Sequence, residues 1–439
     1  MKKTSLDTAI RTVELNQPLP SLTDLQEYSA VRIFITLNGQ LLGSVDIANR
    51  YQTLTVSRLR NAIVDTLILK LLETGAVRDS EIVCTNALAM LNKHFIQDKD
   101  KPLKLPDQVS ASIVVATLDR PDELRKCICS LLTQETSRQI EIVVVDNNPD
   151  SGLIKPVVAE FSQVVLVNEP RRGLAYARNA GFIASKGDVC IATDDDVRFP
   201  PDWLEKLLAP FYRNEVMAVT GNVLPCELGS QAQNMFEEYG GLGRGYKRLE
   251  ANEEWFERYR FKAVPTWEIG ATANAAFRAS IFNQPDIGLM NEALGPGMPS
   301  GVGEDTYLFY KILKAGYTII YEPTAYVWHR HRPEMESLRN QLYNYSKGHV
   351  AYHLTTLIRD HDFRALVRLA LELPIVHLWR IMESLRGRSS YPVSLILLEI
   401  IGNLAGPLAL WKSLQRVKRE SRSDLKQIRR CKLIEKDHV

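Results

Sequence analysis

Long β-branched runs alternate with helically spaced apolar positions through the middle of this chain. Continuous runs stand at Ser112–Thr117 (S-I-V-V-A-T), Ile140–Val145 (I-E-I-V-V-V), Val164–Val167 and Asp188–Thr193. Runs with no polar face predict parallel strands covered on both sides. Between them, Pro121 opens a helix with Leu124, Cys127, Ile128, Leu131 and Leu132 on its apolar side, and a second helix opens after Gly173. Further on, Val216–Val219 predicts a strand before a turn at Gly221-Asn222. Thr306–Ala315 predicts a helix stopped by Gly316, and Tyr317–Tyr321 a last strand. Strand–helix alternation at this spacing predicts a Rossmann-like α/β domain, whose ligands bind at the carboxyl ends of the strands.

The flanks are patterned differently. Residues 1 to about 30 are mixed and polar, and read as a partly ordered lead-in. Two apolar runs then flank Asn38-Gly39, a hairpin signal because both residues tolerate positive φ. Thr55 or Ser57 caps a helix reaching about Glu73, with Leu59, Ile63, Val64, Leu67, Ile68 and Leu71 at helical spacing. This small α+β module shows no chemistry. Asn92–Gln108 is charged, carries prolines and reads as a linker. The predicted division is therefore 1–106, the N-terminal module and linker; 107–335, the Rossmann-like domain; and 336–439, a helical region.

In that last region Asp362–Glu383 is helical. Tyr391–Trp411 follows with a single charge, Glu399, and is long enough to cross a bilayer. Glu399, Asn403 and Pro407, four apart, mark one weak polar stripe, which equally suits a helix lying in a membrane interface or packed on the domain. The Lys- and Arg-rich stretch Lys412–Lys432 favours anionic lipid.

Composition narrows the picture. A net charge of +2 gives no global field for nucleic acid. Six cysteines (Cys84, Cys127, Cys129, Cys190, Cys226, Cys431) have neither zinc spacing nor a disulfide framework, which fits a reduced, cytosolic setting. M-K-K-T-S-L-D-T-A-I has two lysines but no apolar core behind them, so it does not read as a signal peptide.

The candidate chemistry gathers at strand ends. Val189–Thr193 runs straight into Asp194, Asp195 and Asp196. Three unpaired charges cannot be buried in a strand, so they face a cleft, where hard oxygens suit Mg²⁺ or Mn²⁺. Along an extended chain Asp194 and Asp196 point to one side and Asp195 to the other, and either side is a candidate for the cation. Asp119 and Asp146 follow two other strands, on the same rim. Gly303-Glu304-Asp305 opens a helix, where carboxylates also serve as caps. G-G-L-G-R-G-Y, within the insert Gln231–Phe261, reads as a mobile loop over the site.

Taken in order, S-I-V-V-A-T-L-D-R-P, S-L-L-T-Q, E-I-V-V-V-D-N-N, G-L-A-Y-A-R-N-A-G, the Asp triplet, G-A-T-A-N-A-A-F-R and G-E-D-T-Y-L-F-Y-K-I-L-K-A-G-Y resemble glycosyltransferase family 2, with its GT-A fold. The resemblance covers about Val109–His331. It implies that Thr117 and Asp119 line the nucleotide pocket and that Asp146 bonds the base, taken as uracil. It puts Arg178 near the nucleotide and diphosphate, and Asn274, within Gly270–Arg278, beside the donor sugar. The triplet supplies the D-x-D metal motif. Asp305 of the Glu304-Asp305 pair becomes the catalytic base. His329 or His331 completes the cation's ligands, and Arg330 or Arg332 meets the diphosphate.

The expected protein is thus an inverting, divalent-cation-dependent glycosyltransferase, with a GT-A Rossmann-like α/β domain between a small α+β module and a helical C-terminal region. It moves one sugar from a nucleotide-sugar donor, UDP-linked, to a glycan or lipid-linked acceptor. Its place is cytoplasmic, peripheral on the inner face of the cell membrane. Q-x-x-R-W, the signature of processive synthases, is absent from the sequence, which favours single transfer. The alternatives are a sugar nucleotidyltransferase, which needs a Gly-rich basic loop where L-D-R-P stands, and a non-catalytic carbohydrate-binding or scaffold protein.

Overall fold

The computed structural model of the chain describes residues 8–49, 53–73 and 105–436. Most of the predicted linker, 92–104, lies outside them, as does Cys84. Within the expected partly ordered lead-in, residues 8–14 form a strand. Strand β1 (Thr8–Glu14) runs parallel to β2 (Ala30–Leu37), which turns at Asn38-Gly39 into antiparallel β3 (Gln40–Ala48). Both turn residues have positive φ, 49° and 70°. Helix α1 (Val56–Glu73) covers this sheet through Leu59, Ile63, Val64 and Leu67. Thr55, rather than Ser57, takes the cap: its Oγ1 accepts from the Arg58 N–H at 3.4 Å. Sequence reasoning missed β1 because it has little apolar run of its own. Its partner strand completes it.

The central domain proceeds as β4 (Ala111–Thr117), α2 (Pro121–Leu131), β5 (Ile140–Asp146), α3 (Ile154–Ala159), β6 (Val164–Asn168), α4 (Leu174–Ala184) and β7 (Val189–Asp194). It continues through β8 (Val197–Arg198), α5 (Trp203–Leu208), β9 (Val216–Pro225), α6 (Gln231–Tyr239), β10 (Leu249–Ala251), α7 (Glu253–Glu257), β11 (Asn274–Arg278), α8 (Glu304–Lys314) and β12 (Thr318–His329). One mixed sheet of nine strands results, ordered β10-β12-β9-β11-β7-β4-β5-β6, with β8 beside β12. The continuous runs are explained by two buried faces. Ile113, Val115, Ile142 and Val144 pack under α2, α3 and α5, whereas Val114, Val143 and Val145 pack under α4 and α8.

Two expectations are corrected here. No turn interrupts β9 at Gly221-Asn222: the strand passes through, and a Cβ on Gly221 would lie 2.0 Å from the Ala325 carbonyl oxygen. The insert 231–261 is not a bare loop either. It starts as α6, whose Ser230 accepts from the Gln233 N–H while the Gln233 side chain accepts from Ser230 N–H, a reciprocal cap.

Beyond β12 the chain is helical: α9 (Met335–Asp360), α10 (Arg364–Val367), a π-helical turn (Arg368–Glu372), α11 (Leu373–Leu385) and α12 (Val393–Lys436). Helix α12 lies tight on α9, because a Cβ on Gly402 would meet the Tyr343 carbonyl oxygen at 2.7 Å and one on Gly406 would meet Val350 Cβ at 2.6 Å. Of the predicted polar stripe, Glu399 and Asn403 turn inward and Pro407 outward. Glu399 takes Arg380 at 2.6 and 3.0 Å and Tyr391 at 2.8 Å. Asn403 bonds His377 at 2.7 Å. Val393–Ser421 is long and apolar enough to cross a membrane, yet these contacts hold one of its faces against the protein.

The outer faces of the last two helices repeat one pattern. Leu371, Ile375, Leu378, Met382 and Leu385 are exposed at spacings of 4, 3, 4 and 3, and so are Leu397, Ile401, Leu404, Leu408 and Trp411. These are two unbroken apolar stripes on neighbouring helices.

Candidate active site

Parallel pairing brings the acidic strand ends together. Thr117 of β4 stands opposite Asp146 of β5, and Ala116 opposite Asp194 of β7. The chain then turns through Asp195 and Asp196, and β12 delivers His329 next to β8. Side-chain ligand atoms of Asp194, Asp196 and His329 all lie within 4.8 Å of one another. Asp195 faces away from that cluster: it accepts from Thr117 Oγ1 at 2.8 Å and from Arg120 at 3.1 Å.

The electrostatics separate the three carboxylates. Burial, then the charge of Asp196, pushes Asp195 up to about 6, against the pull of Arg120. Burial also opposes ionisation of Asp196, but His329 and Arg120 outweigh it and hold that carboxyl below its usual range. Desolvation keeps His329 neutral more readily than usual, so its imidazole is available as a ligand.

The donor set fits a divalent cation. Two carboxylates and a neutral imidazole suit Mn²⁺, and the oxygens suit Mg²⁺. Oδ1 of Asp196 is buried and makes no hydrogen bond among the described residues, although His329 Nε2 stands 3.3 Å away. A buried acceptor in that state is costly unless a cation takes it.

A cavity of about 1170 Å³ opens on this cluster. Its walls include Arg120, Gly270, Thr272, Asp305, Arg332 and the glycine-rich stretch Gly240–Arg244. Glu304 and Asp305 form the first turn of α8. Asp305 is oriented by the Thr306 N–H at 2.6 Å and by its hydroxyl at 3.1 Å. Glu304 is buried and accepts from Arg178 at 3.0 Å and from the Gly303 N–H at 3.1 Å. Burial, then neighbouring Asp305, pushes the Glu304 carboxyl up, and Arg178 pulls it back.

Four expected site residues stand elsewhere or do something else. The guanidinium of Arg178 is not free for a diphosphate: it spans Glu304 and Asp194, the latter at 2.7 Å, and so ties the helix start to the acidic cluster. Asn274 is fully buried, accepting from Trp203 Nε1 at 2.9 Å and donating to the carbonyls of Asn222 and Ala325. It locks three strands and does not face a sugar. Arg330 points outward, pairing with Glu227 at 3.1 Å and Glu123 at 3.3 Å, whereas Arg332 lines the cavity. His331 lies outside the three-residue cluster and supports it: its Nδ1 meets His329 Nδ1 at 3.0 Å and its Nε2 meets Glu237 at 2.9 Å.

Asp119 and Asp146, which are not among the residues lining the cavity, form a separate pair past the ends of β4 and β5, joined by Asn148, whose amide donates to Asp119 at 2.8 and 2.9 Å and whose backbone N–H donates to Asp146 at 2.9 Å. Asp119 holds a strained φ of 57° to do so. Burial raises the Asp146 carboxyl.

Sequence reasoning missed Arg120 and Glu237. The first was visible as the cation inside L-D-R-P, three residues past the end of β4. Nothing in the sequence marked the second.

Residues 112–284 match the family model described as Glycosyl transferase family 2. The chain is 29% identical over 173 residues to a glucosyl-dolichyl phosphate glucuronosyltransferase of Haloferax volcanii, covering 37% of this chain and 55% of that protein. It is 25% identical over 242 residues to a pre-mycofactocin glycosyltransferase of Mycobacterium tuberculosis, covering 54% of this chain and 46% of that one. The chain thus spans about half the length of these relatives. Among solved structures it is similar to the mannosyltransferase PcManGT from Pyrobaculum calidifontis in complex with GDP-Man and Mn²⁺, with a TM-score of 0.45, 15% identity and coverage of 79% of this chain and 98% of that one.

Proposed function

We propose that this chain, which matches glycosyl transferase family 2 over residues 112–284, transfers one sugar from a UDP-linked donor to an acceptor hydroxyl, with inversion. The observation that carries this reading is the convergence of Asp194, Asp196 and His329 on one wall of a cavity that also holds Asp305. Asp194, Asp196 and His329 hold a divalent cation, which supplies charge compensation for the donor diphosphate. Arg332 adds a cation on the same wall. Asp119 and Asp146, past the ends of β4 and β5, receive the nucleoside.

Asp305 takes the proton of the acceptor hydroxyl as its oxygen bonds the anomeric carbon. The anomeric carbon–oxygen bond breaks, and its electron pair leaves with the nucleoside diphosphate. Glu304 and Arg178 fix the start of α8 and thereby the position of Asp305. The acceptor is a glycan or a lipid-linked sugar, and the enzyme works at the cytoplasmic face of a membrane, which the exposed apolar stripes of α11 and α12 support.

Nucleoside diphosphate release is measured from UDP-, GDP- and dTDP-sugars with Mn²⁺, Mg²⁺ or EDTA. Release from one donor that needs the cation, and that fails in Asp196→Ala and Asp305→Asn, is the expected result. Failure of the wild type to bind any nucleotide sugar in calorimetry sinks the reading.

A further inference from the structure

The cavity does not end at the acidic cluster. It continues past Trp267 between α9 and α11 to His349, His377 and Arg380. This far end is polar but nearly uncharged. Burial, and then Arg368, pushes His349 down to about 3; burial also lowers His377. Arg380 is neutralised by Glu399. Arg368 is neutralised by Glu372 at 3.2 Å and donates to His349 Nε2 at 3.2 Å. His377 is 93% buried by its 7% exposure, and its Nδ1 makes no hydrogen bond among the described residues. His377 lines the cavity, its Nε2 meets Asn403 at 2.7 Å, and the unmet Nδ1 leaves this wall with spare hydrogen-bonding capacity.

The way out is apolar. Val376 of α11 lines the cavity and is 39% exposed, so the wall reaches the protein surface beside it, while Arg380–Glu399 and His377–Asn403 bridge α11 to α12. The two apolar stripes run along these same helices, each over 15 residues, or 14 steps and about 21 Å of helix. Exposed Arg386 and Arg388 stand at one end of the hairpin, and Lys412, Lys418 and Arg419 at the other. Apolar stripes bordered by cations suit an anionic lipid surface.

We propose that this far end is the acceptor subsite, and that it takes a sugar carrying a long apolar chain. The hydroxyl-rich head sits among His349, His377 and Trp267, facing Asp305 along the cavity, and the chain leaves past Val376 onto the stripes and into the bilayer. Neutral imidazoles suit hydroxyls, whereas the arginines at this end, Arg368 and Arg380, are already paired with Glu372 and Glu399 and leave little for a free phosphate. This assignment rests on the glycosyltransferase reading and narrows its acceptor.

The test is calorimetric binding to the full chain, with Mn²⁺ and UDP present, of dodecyl glucoside, galactoside and mannoside below their micelle concentrations, beside the methyl glycosides with the same heads. At least one dodecyl glycoside is expected to bind tenfold or more tightly than its methyl counterpart. Val376→Trp, which plugs the opening, should erase that advantage, and Leu404→Ser should weaken it, with melting temperatures confirming folded protein. The proposal is overturned if no dodecyl glycoside binds, if chain length makes no difference, if Val376→Trp binds as wild type does, or if a dodecyl chain on an ethylene glycol head binds equally well. Nucleoside diphosphate release by wild type, run in parallel, separates the two ideas. Release without chain preference removes only the subsite, whereas chain-dependent binding without any nucleotide-sugar binding removes the transferase and leaves a glycolipid site.

Discussion

At the scale of single residues, Asp195 is held under strong electrostatic tension. Its carboxyl rises from 3.8 to about 6 by burial first and by Asp196 second, although Thr117 and Arg120 bond it. The sign follows directly. Between pH 4 and 6 the folded chain keeps a proton that the unfolded chain has released, so this group's contribution to stability is greatest below pH 4 and is lost as pH rises through 6. A shift of that size is worth roughly 3 kcal/mol at neutral pH. Asp195→Asn should therefore raise the metal-free melting temperature at pH 7 and flatten its slope between pH 4 and 6. Melting curves of both proteins across that range decide it; an unchanged slope means Asp195 is ionised without cost. Asp305→Asn is a different case, since its carboxylate lines the cavity and accepts from the N–H of Thr306. Its kcat should fall by about 10²- to 10⁴-fold while the donor still binds; lost donor binding would instead mark it as a structural residue.

Residue identity was legible where a run of strand residues ended in charge, as at Asp146 and Asp194, because burial and strand direction alone locate those positions. It was not legible for Arg178 or Asn274. Both lie in the family's motifs, and both are buried locks whose partners come from 94 and 126 residues, or 51 and 52 residues, further along or back in the chain. A one-dimensional pattern does not show which motif residues face the ligand and which hold the motif in shape.

At the scale of elements, a line of hydrogen bonds crosses from the N-terminal sheet to the acidic cluster. Asp46 of β3 holds Arg32 of β2 at 2.8 Å, Arg32 reaches Glu237 of α6 at 3.1 Å, Glu237 meets His331 at 2.9 Å, and His331 meets His329 at 3.0 Å. The far ring nitrogen of His329 then faces Asp196. Outer partners of this kind fix the tautomer and direction of a ligating imidazole, and losing one typically costs 10- to 100-fold in metal affinity. Glu237→Gln should thus weaken Mn²⁺ binding by about tenfold, read as free Mn²⁺ by electron paramagnetic resonance. Arg32→Ala should shift it in the same direction by less. Unaltered affinity in both would reduce the chain of contacts to a packing feature. The short insert helix α6 explains why this line was unreadable in advance: its capping box fixes it, but only tertiary contact puts Glu237 between two domains.

At the scale of the whole molecule, the central sheet was legible almost strand by strand, because strands covered on both faces must be apolar throughout, and that leaves a plain trace. The N-terminal module was legible as a hairpin and helix but not as a neighbour of the site. Its docking surface is small and mostly aromatic. Phe34, 2% exposed, meets Trp328 edge-on at 5.3 Å, with Leu41 and Leu224 around them. Lys206 reaches the Gly39 carbonyl at 2.8 Å, and Tyr246 meets Ser44 at 2.9 Å.

The module has its own core, so two outcomes on heating are conceivable, and the contact decides between them. Trp328 is the residue before His329, which means that Phe34 supports the strand carrying a candidate ligand. Truncating a buried Phe costs about 3 to 5 kcal/mol, more than a module this small has to spare. Wild type should melt as one calorimetric transition that moves up with Mn²⁺. Phe34→Ala should split it, with the module melting first and only the remaining transition still rising with Mn²⁺, since a ligand stabilises only what folds with its site. A wild type that already melts in two steps, only the upper one responding to Mn²⁺, would make the module a separate passenger and would leave Arg32 without any influence on the metal.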